Sequence, residues 1–184
     1  MHRNRSIPAV SFIPVLVYPD VRAAVAFLED AVGFTERVQI GEDHRAQLSY
    51  GDGAVIIGDV RHRRRPPRPD EETHSVVVRV ADARAHCEHA RGHGAIIHME
   101  PTEFEYGERQ YEAEDLAGHR WTFSETLRDA APAEWGGEGG WRPESFCGRA
   151  RQSPKTRPQM SMARLGLVSP TMVTTTDEDT TVRA

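Results

Sequence analysis

The sequence predicts an α+β fold built from two βαβββ modules, because both the order of elements and the start of the helix occur twice. Asp20-Val21-Arg22-Ala23 recurs 62 residues later as Asp82-Ala83-Arg84-Ala85, and a glycine closes each helical segment that follows. We therefore expect one domain over residues 10–136, with modules at 10–60 and 72–128. The helices are expected on the convex side of a cup-shaped mixed sheet.

The first module opens with an apolar, β-branched run that a proline stops and an aspartate follows, the pattern of a strand leading into a helix. Apolar residues at helical spacing then continue to Gly33, a typical glycine at a helix end. Two alternating segments and one buried-looking strand follow, the last two joined by the hairpin turn Gly51-Asp52-Gly53. The predicted elements are strand 12–18, helix 21–33, and strands 35–40, 45–50 and 54–58.

The second module repeats this order after an arginine- and proline-rich linker at residues 61–71, which we interpret as a solvated connector. Its composition is also compatible with a phosphate contact, but aromatic residues are not interleaved with the arginines. The predicted elements are strand 75–80, helix 82–93, and strands 95–99, 108–113 and 120–124. Periodicity is lost beyond Trp135, so residues 137–184 are predicted to be a disordered tail.

Composition narrows the class of partner. The chain has 184 residues, 28% of them charged, with a net charge of −5, so no overall positive field attracts nucleic acid or an anionic membrane. The N-terminal residues lack the apolar core of a signal peptide, and no apolar run approaches the length of a membrane span. We therefore expect a cytoplasmic protein whose two cysteines, Cys87 and Cys147, are free thiols.

Alternation along the strands separates two faces of the predicted sheet. One face is apolar and should pack under the helices: Val38, Ile40, Ala46, Leu48, Tyr50, Ala54, Ile56, Val76, Val78, Val80, Trp121 and Phe123. The other mixes polar residues with the aliphatic side chains of Ile13, Val15, Val17, Val55, Ile57 and Val77. This mixture favours a concave surface that holds a partly polar organic ligand, with a solvated face or a subunit contact as alternatives.

Alternation also places Gln39, Ser49 and Arg79 on the second face, and the candidate ligand-binding residues are its other polar members: Arg37, Arg45, Gln47, Ser75, Gln110, Glu112, Arg120 and Thr122. Their arginines are suited to an anionic group, and Glu112 is either an acid or base or a partner for those arginines. His119 is interpreted as a hydrogen-bonding residue at a strand start. His86, His89 and His93 are interpreted as one solvated helix face. No catalytic residue is assigned.

The sequence resembles the vicinal oxygen chelate superfamily, which includes glyoxalase I, extradiol dioxygenases and bleomycin-resistance proteins. The resemblance rests on the two modules and on the closing pattern Tyr106-Gly107-Glu108-Arg109 followed by Asp115-x-x-Gly118-His119-Arg120-Trp121-Thr122-Phe123. It implies metal ligands on the first and last strand of each module. The repeat offsets assign those positions to Ile13, Ile57, Ser75 and Thr122, a set without imidazole, carboxylate or thiolate.

The resemblance therefore implies a metal-independent protein that binds a small organic molecule and uses no cofactor, similar to bleomycin-resistance-type sequestering proteins of antibiotic resistance. One alternative is a glyoxalase- or dioxygenase-like metalloenzyme, for which His74, next to Ser75, is the one histidine near the expected ligand positions. Another is a module whose polar face serves assembly. The family's habit and the need to cover strand edges imply a homodimer.

Overall fold

The computed structural model describes residues 4–68 and 71–138. Within these ranges the two helices are α1 (Val21–Phe27) and α2 (Ala83–Gly92). The strands are β1 (Val15–Tyr18), β2 (Thr35–Ile40), β3 (Arg45–Tyr50), β4 (Gly53–Asp59), β5 (Ser75–Arg79), β6 (Ile96–Glu103), β7 (Glu108–Glu114) and β8 (Arg120–Thr126). A short 3₁₀ helix follows at Pro132–Trp135. Nearly all of the predicted tail, residues 137–184, lies outside the described residues. The domain bounds 10–136 therefore stay a prediction.

Each module forms its own four-stranded mixed sheet, and the two sheets have the same topology. The strand order is β1-β4-β3-β2 in the first and β5-β8-β7-β6 in the second. In each, the first and last strand of the module pair in parallel and the remaining neighbours pair antiparallel. The predicted α+β fold of two βαβββ modules is thereby confirmed. None of the described helices is long and apolar enough to cross a membrane.

Both helices begin where the repeated aspartate predicts. The Asp20 carboxylate accepts a hydrogen bond from the Ala23 amide at 2.8 Å, and the Asp82 carboxylate accepts from the Arg84 and Ala85 amides at 2.9 and 3.0 Å. Helix α1 continues as a π-helical turn over Leu28–Val32 and ends at Gly33. Gly33 has a φ of 85°, a left-handed conformation that glycine adopts without steric cost.

One hydrophobic core joins the helix-bearing faces of both sheets, with Trp121 and Phe123 among its largest buried side chains. The ring of Phe34, from the first module, packs edge-on against Trp121 of the second at 5.7 Å. The histidines of α2 take part in this junction: His86 Nε2 donates to Val32 O at 3.1 Å and His89 Nε2 to Asp30 O at 2.7 Å. The interpretation of this helix face as solvated is therefore wrong for His86, which is half-buried, whereas His89 and His93 are exposed.

In strand β4, the side chains that face the core are those that were predicted to face away from it. Val55 and Ile57 lie in the core, and Ile56 belongs to the other face. The reason is the hairpin: a turn of two residues pairs Tyr50 with Gly53, and Leu48 then lies opposite Val55. Because Ala54 to Ile57 is apolar throughout, alternation gave no guide to this register. Ile40, also expected in the core, is exposed at the end of β2.

Candidate functional site

The four positions where a metal would be expected do not form a cation site. Val15 lies opposite Ile56 in the first module, and the equivalent pair in the second module is Val77 and Thr122. Ile56, and not Ile57, is therefore the first-module equivalent of Thr122. The Ser75 and Thr122 hydroxyls hydrogen-bond to each other at 2.9 Å. With Ile13 completing the set, two aliphatic side chains and two hydroxyls do not match the donors that a divalent transition metal requires.

His74 lies beside His119 in a separate cavity of about 350 Å³, which β1 and the linker residues Arg65 and Arg68 also line. The predicted hydrogen-bonding role of His119 is confirmed, because its Nε2 donates to Val17 O at 2.9 Å. Its Nδ1 is thus an acceptor and lies 3.4 Å from His74 Nε2. Burial lowers the pKa of His119, which favours the neutral ring.

Elsewhere in the described ranges, one group of three potential metal ligands comes together: Cys87, Glu88 and Glu100. The Arg91 guanidinium already occupies it, with Nη2 at 2.8 Å from both Glu100 oxygens and 3.6 Å from Glu88 Oε1. Burial, as the largest cause, raises the pKa of the Cys87 thiol, so it stays protonated. A cation there would have to displace an arginine that neutralises the same carboxylates.

The open face of the second sheet carries a groove of about 460 Å³ with mixed polar and aromatic walls. Tyr106 and Trp135 form the aromatic side, with ring centroids 5.8 Å apart in an edge-on arrangement. The sheet contributes the rest of the lining: Val77, Arg79, Glu108, Gln110 and Ser124, with Ala130 at the rim. Stacking surfaces beside fixed donors and acceptors are typical of sites for small organic ligands.

Hydrogen bonds hold the polar side of this groove in place. The Glu108 carboxylate accepts from Arg79 Nη2 at 3.0 Å and from Ser124 Oγ at 2.7 Å. Gln110 Nε2 donates to Ser124 Oγ at 3.0 Å, and Gln110 Oε1 accepts from the Tyr106 hydroxyl at 2.9 Å. Burial, followed by the Glu108 charge, raises the pKa of Tyr106 and keeps that hydroxyl a donor. The groove is therefore organised before any ligand binds.

Of the candidate residues predicted on the second sheet, four lie on its open face in or next to the groove, and Arg120 lies in a cavity beside the linker. Gln110 lines the groove. Glu112 pairs with Thr122 across β7 and β8, next along the same face, and Ser75 is bonded to Thr122. Arg120 instead lines a cavity of about 330 Å³ beside the linker, where its Nε lies 3.7 Å from Glu114 Oε2. The arginine is thus paired with Glu114 rather than with Glu112.

Two of the three candidates predicted on the first sheet, Arg37 and Gln47, are already engaged within the chain. Gln47 Oε1 accepts from Arg37 Nη1 at 2.6 Å, and Gln47 Nε2 donates to the main-chain carbonyl of Ser6 at 2.9 Å. Arg37 Nη2 donates to the carbonyl of Arg5. As a result Gln47 is only 5% exposed, although it faces away from the core. Arg45 lies on the same face, and its Nε is buried without a partner among the described residues.

Sequence reasoning missed the residues that shape the groove: Tyr106 and Trp135 as its aromatic side, and Arg79 and Glu108 as its ion pair. Alternation with Ser75 along β5 placed Arg79 on the correct face, but Arg79 was not chosen as a binding candidate. Trp135 lies beyond the last strand, in a segment without periodicity, and no local pattern indicates that it returns to the sheet.

Comparisons with solved structures agree with this fold. TioX from Micromonospora sp. ML1 is 28% identical, with a TM-score of 0.55 over 65% of this chain and 100% of that one. A glyoxalase/bleomycin resistance protein/dioxygenase from Nocardioides is 18% identical, with a TM-score of 0.54 over 74% and 95%. A glyoxalase/bleomycin resistance protein from Streptomyces sp. CB03234 is 19% identical, with a TM-score of 0.51 over 61% and 97%.

Comparison with curated proteins gives no match. The decisive comparison is with protein families, where the profile of the Glyoxalase/Bleomycin resistance protein/Dioxygenase superfamily matches residues 10–123, from before β1 into β8. That range covers more than half of the chain and includes both modules, so the resemblance noted in the sequence is confirmed. The chain belongs to the Glyoxalase/Bleomycin resistance protein/Dioxygenase superfamily.

Proposed function

We propose that this protein binds a small organic molecule on the open face of its second sheet, without a metal ion, and sequesters it in the manner that the name of the bleomycin-resistance branch suggests. The observation that carries the proposal is the organised groove between Tyr106, Trp135 and the Glu108–Gln110–Ser124 network. The donor set at Ile13, Ile56, Ser75 and Thr122 supports binding over metal-assisted catalysis.

The groove favours a ligand with a flat unsaturated ring and at least one hydrogen-bonding group. A ring can stack on Trp135 or Tyr106, and the polar group can reach Arg79 or Gln110 on the sheet.

The experiment is a calorimetric titration of the full chain with metal-free bleomycin as the probe. Trp135→Ala and Gln110→Leu should each weaken binding about tenfold, the usual effect of removing a central contact. Ile40→Ala is a matched control, since Ile40 is 39% exposed on the other sheet and Trp135 is 41% exposed. Equal affinities for the wild type and both groove variants would contradict the proposed site.

We also propose that the protein works as a homodimer. Support comes from exposed apolar side chains beside the sheet edges, with Val77 on β5 63% exposed and Val15 on β1 46% exposed. Sedimentation equilibrium should give twice the chain mass for the wild type and a shift toward the monomer for Val77→Asp. A monomeric wild type at the same concentration would rule the dimer out.

A further inference from the structure

The N-terminal residues 4–8 lie against the open face of the first sheet, where two side chains bind their main chain. Gln47 and Arg37 donate to the carbonyls of Ser6 and Arg5, which are adjacent in the chain. Because Gln47 Oε1 also accepts from Arg37, the two side chains form one unit that presents two donors side by side. Recognition of neighbouring carbonyls is recognition of a peptide backbone, independent of its side chains.

Burial in this contact is deepest on the side of the sheet, since Arg5 and Ser6 are themselves exposed. Gln47 is 95% buried, and an amide side chain at that depth is costly unless its groups are hydrogen-bonded. Pro8, at the end of the segment, is buried as well. Arg45 lies two residues from Gln47 on the same face of β3, and its buried Nε has no partner among the described residues. This face therefore has capacity for a further acceptor that the segment does not fill.

We propose that the open face of the first sheet is a binding site for an extended peptide-like ligand with two successive amide carbonyls, and that residues 4–8 are its resident occupant. Arg37 and Gln47 bind the two carbonyls, and Arg45 binds a third acceptor, such as a carboxylate or another carbonyl, on a ligand from outside the chain. A tethered occupant competes at a high effective concentration, so an external ligand must displace it. The site is independent of the groove on the second sheet.

Trypsin reports directly on this contact in the full chain, because cleavage after Arg5 attacks the carbonyl that Arg37 binds. Gln47→Leu and Arg37→Met should raise the rate of that cleavage about tenfold, since each removes hydrogen bonds that hold the segment. Gln39→Leu is the matched control: among the described residues, the Gln39 side chain donates to the carbonyls of Gly41 and Glu42 in the turn after β2 and not to the N-terminal segment. Cleavage between Arg63 and Arg64 in the linker serves as the internal reference in every digest.

The second arm tests whether the site accepts a ligand in trans. The probe is a synthetic peptide with the sequence of residues 1–12, in which citrulline replaces both arginines so that trypsin cannot cut it. It should raise cleavage of the wild type after Arg5 toward the rate of Gln47→Leu, half-maximally at about millimolar peptide. Equal rates in wild type and Gln47→Leu would overturn the docking of the segment. A protected segment that the peptide never displaces would overturn the ligand site.

Discussion

Asp115 links the two modules through a buried carboxylate. The residue is 3% exposed, and its two oxygens accept four hydrogen bonds. Oδ2 accepts from the Tyr18 hydroxyl of the first module at 2.5 Å and from Trp121 Nε1 at 2.9 Å, and Oδ1 accepts from the amides of Ala117 and His119. Four hydrogen bonds offset the cost of burying this carboxylate, whereas a buried carboxylate without donors would destabilise the fold.

Asp115→Asn should lower the free energy of unfolding by about 3 kcal/mol, because an amide places an oxygen on only one of the two donor pairs and leaves buried donors unpaired. Urea denaturation measures the change. Asp52→Asn, in the exposed hairpin turn, is the control and should stay within about 0.5 kcal/mol of the wild type. A loss no larger in Asp115→Asn than in this control would show that the carboxylate does not join the modules.

Tyr18 shows the same coupling from the other side. Burial, then the Asp115 charge, raises the pKa of Tyr18 well above its ordinary value, so the phenol stays protonated as the donor that Asp115 needs. The raised pKa contributes stability that is fully present below the ordinary tyrosine pKa and declines as the pH rises beyond it. The hydrogen bond between the modules is therefore insensitive to pH through the neutral range.

At the scale of elements, α2 contacts the end of the π-helical turn in the first module through His86, whose burial favours the neutral ring. His86 Nε2 donates to Val32 O, and its Nδ1 accepts from the Tyr111 hydroxyl at 2.5 Å. Burial, as the main cause, lowers the pKa of His86, and the charge of His89 lowers it further. Protonation would place a proton on the nitrogen that now accepts.

Because the folded-state pKa of His86 is lowered, its contribution to stability is present above the unfolded value of about 6.5 and is lost as the pH falls below it. We expect the free energy of unfolding to decrease from pH 7.5 to 5.5, by at most about 1.4 kcal/mol per pH unit for each histidine that excludes a proton. His119, whose pKa is also lowered, acts in the same direction.

The measurement is urea denaturation at pH 7.5, 6.5 and 5.5 for the wild type and for His86→Gln, which should flatten the pH dependence by removing one of these groups. His62→Gln, in the exposed linker, is the control and should retain the wild-type slope. An unchanged slope in His86→Gln would mean that this contact tolerates the charged ring.

How far the sequence leads also differs from element to element. Helices were predictable because Asp20 and Asp82 cap them and glycine ends them, all of which are local signals. Strand β8 was predictable because large apolar and small polar residues alternate, and Trp121 and Phe123 are buried as expected. Strand β4 was not, because its apolar run fits either register and only the hairpin length decides between them.

At the scale of the whole molecule, the two modules share a topology but use their open faces differently. The first sheet binds the chain's own N-terminal segment through Arg37 and Gln47, whereas the second leaves a groove beside Tyr106 and Trp135. The predicted set of eight binding residues mixed these surfaces, because alternation assigns a face and not a neighbour. Contacts made by residues distant in sequence, such as Trp135 and Ser6, decide which surface is open.

The central claim is that the groove binds an organic ligand without a metal ion. The most direct measurement is calorimetric titration of metal-free bleomycin into the full chain before and after dialysis against a chelator that is then removed. We predict the same affinity in both titrations, because Ile13, Ile56, Ser75 and Thr122 supply no ligand set for a metal ion. Binding that disappears after the chelator treatment would contradict this claim.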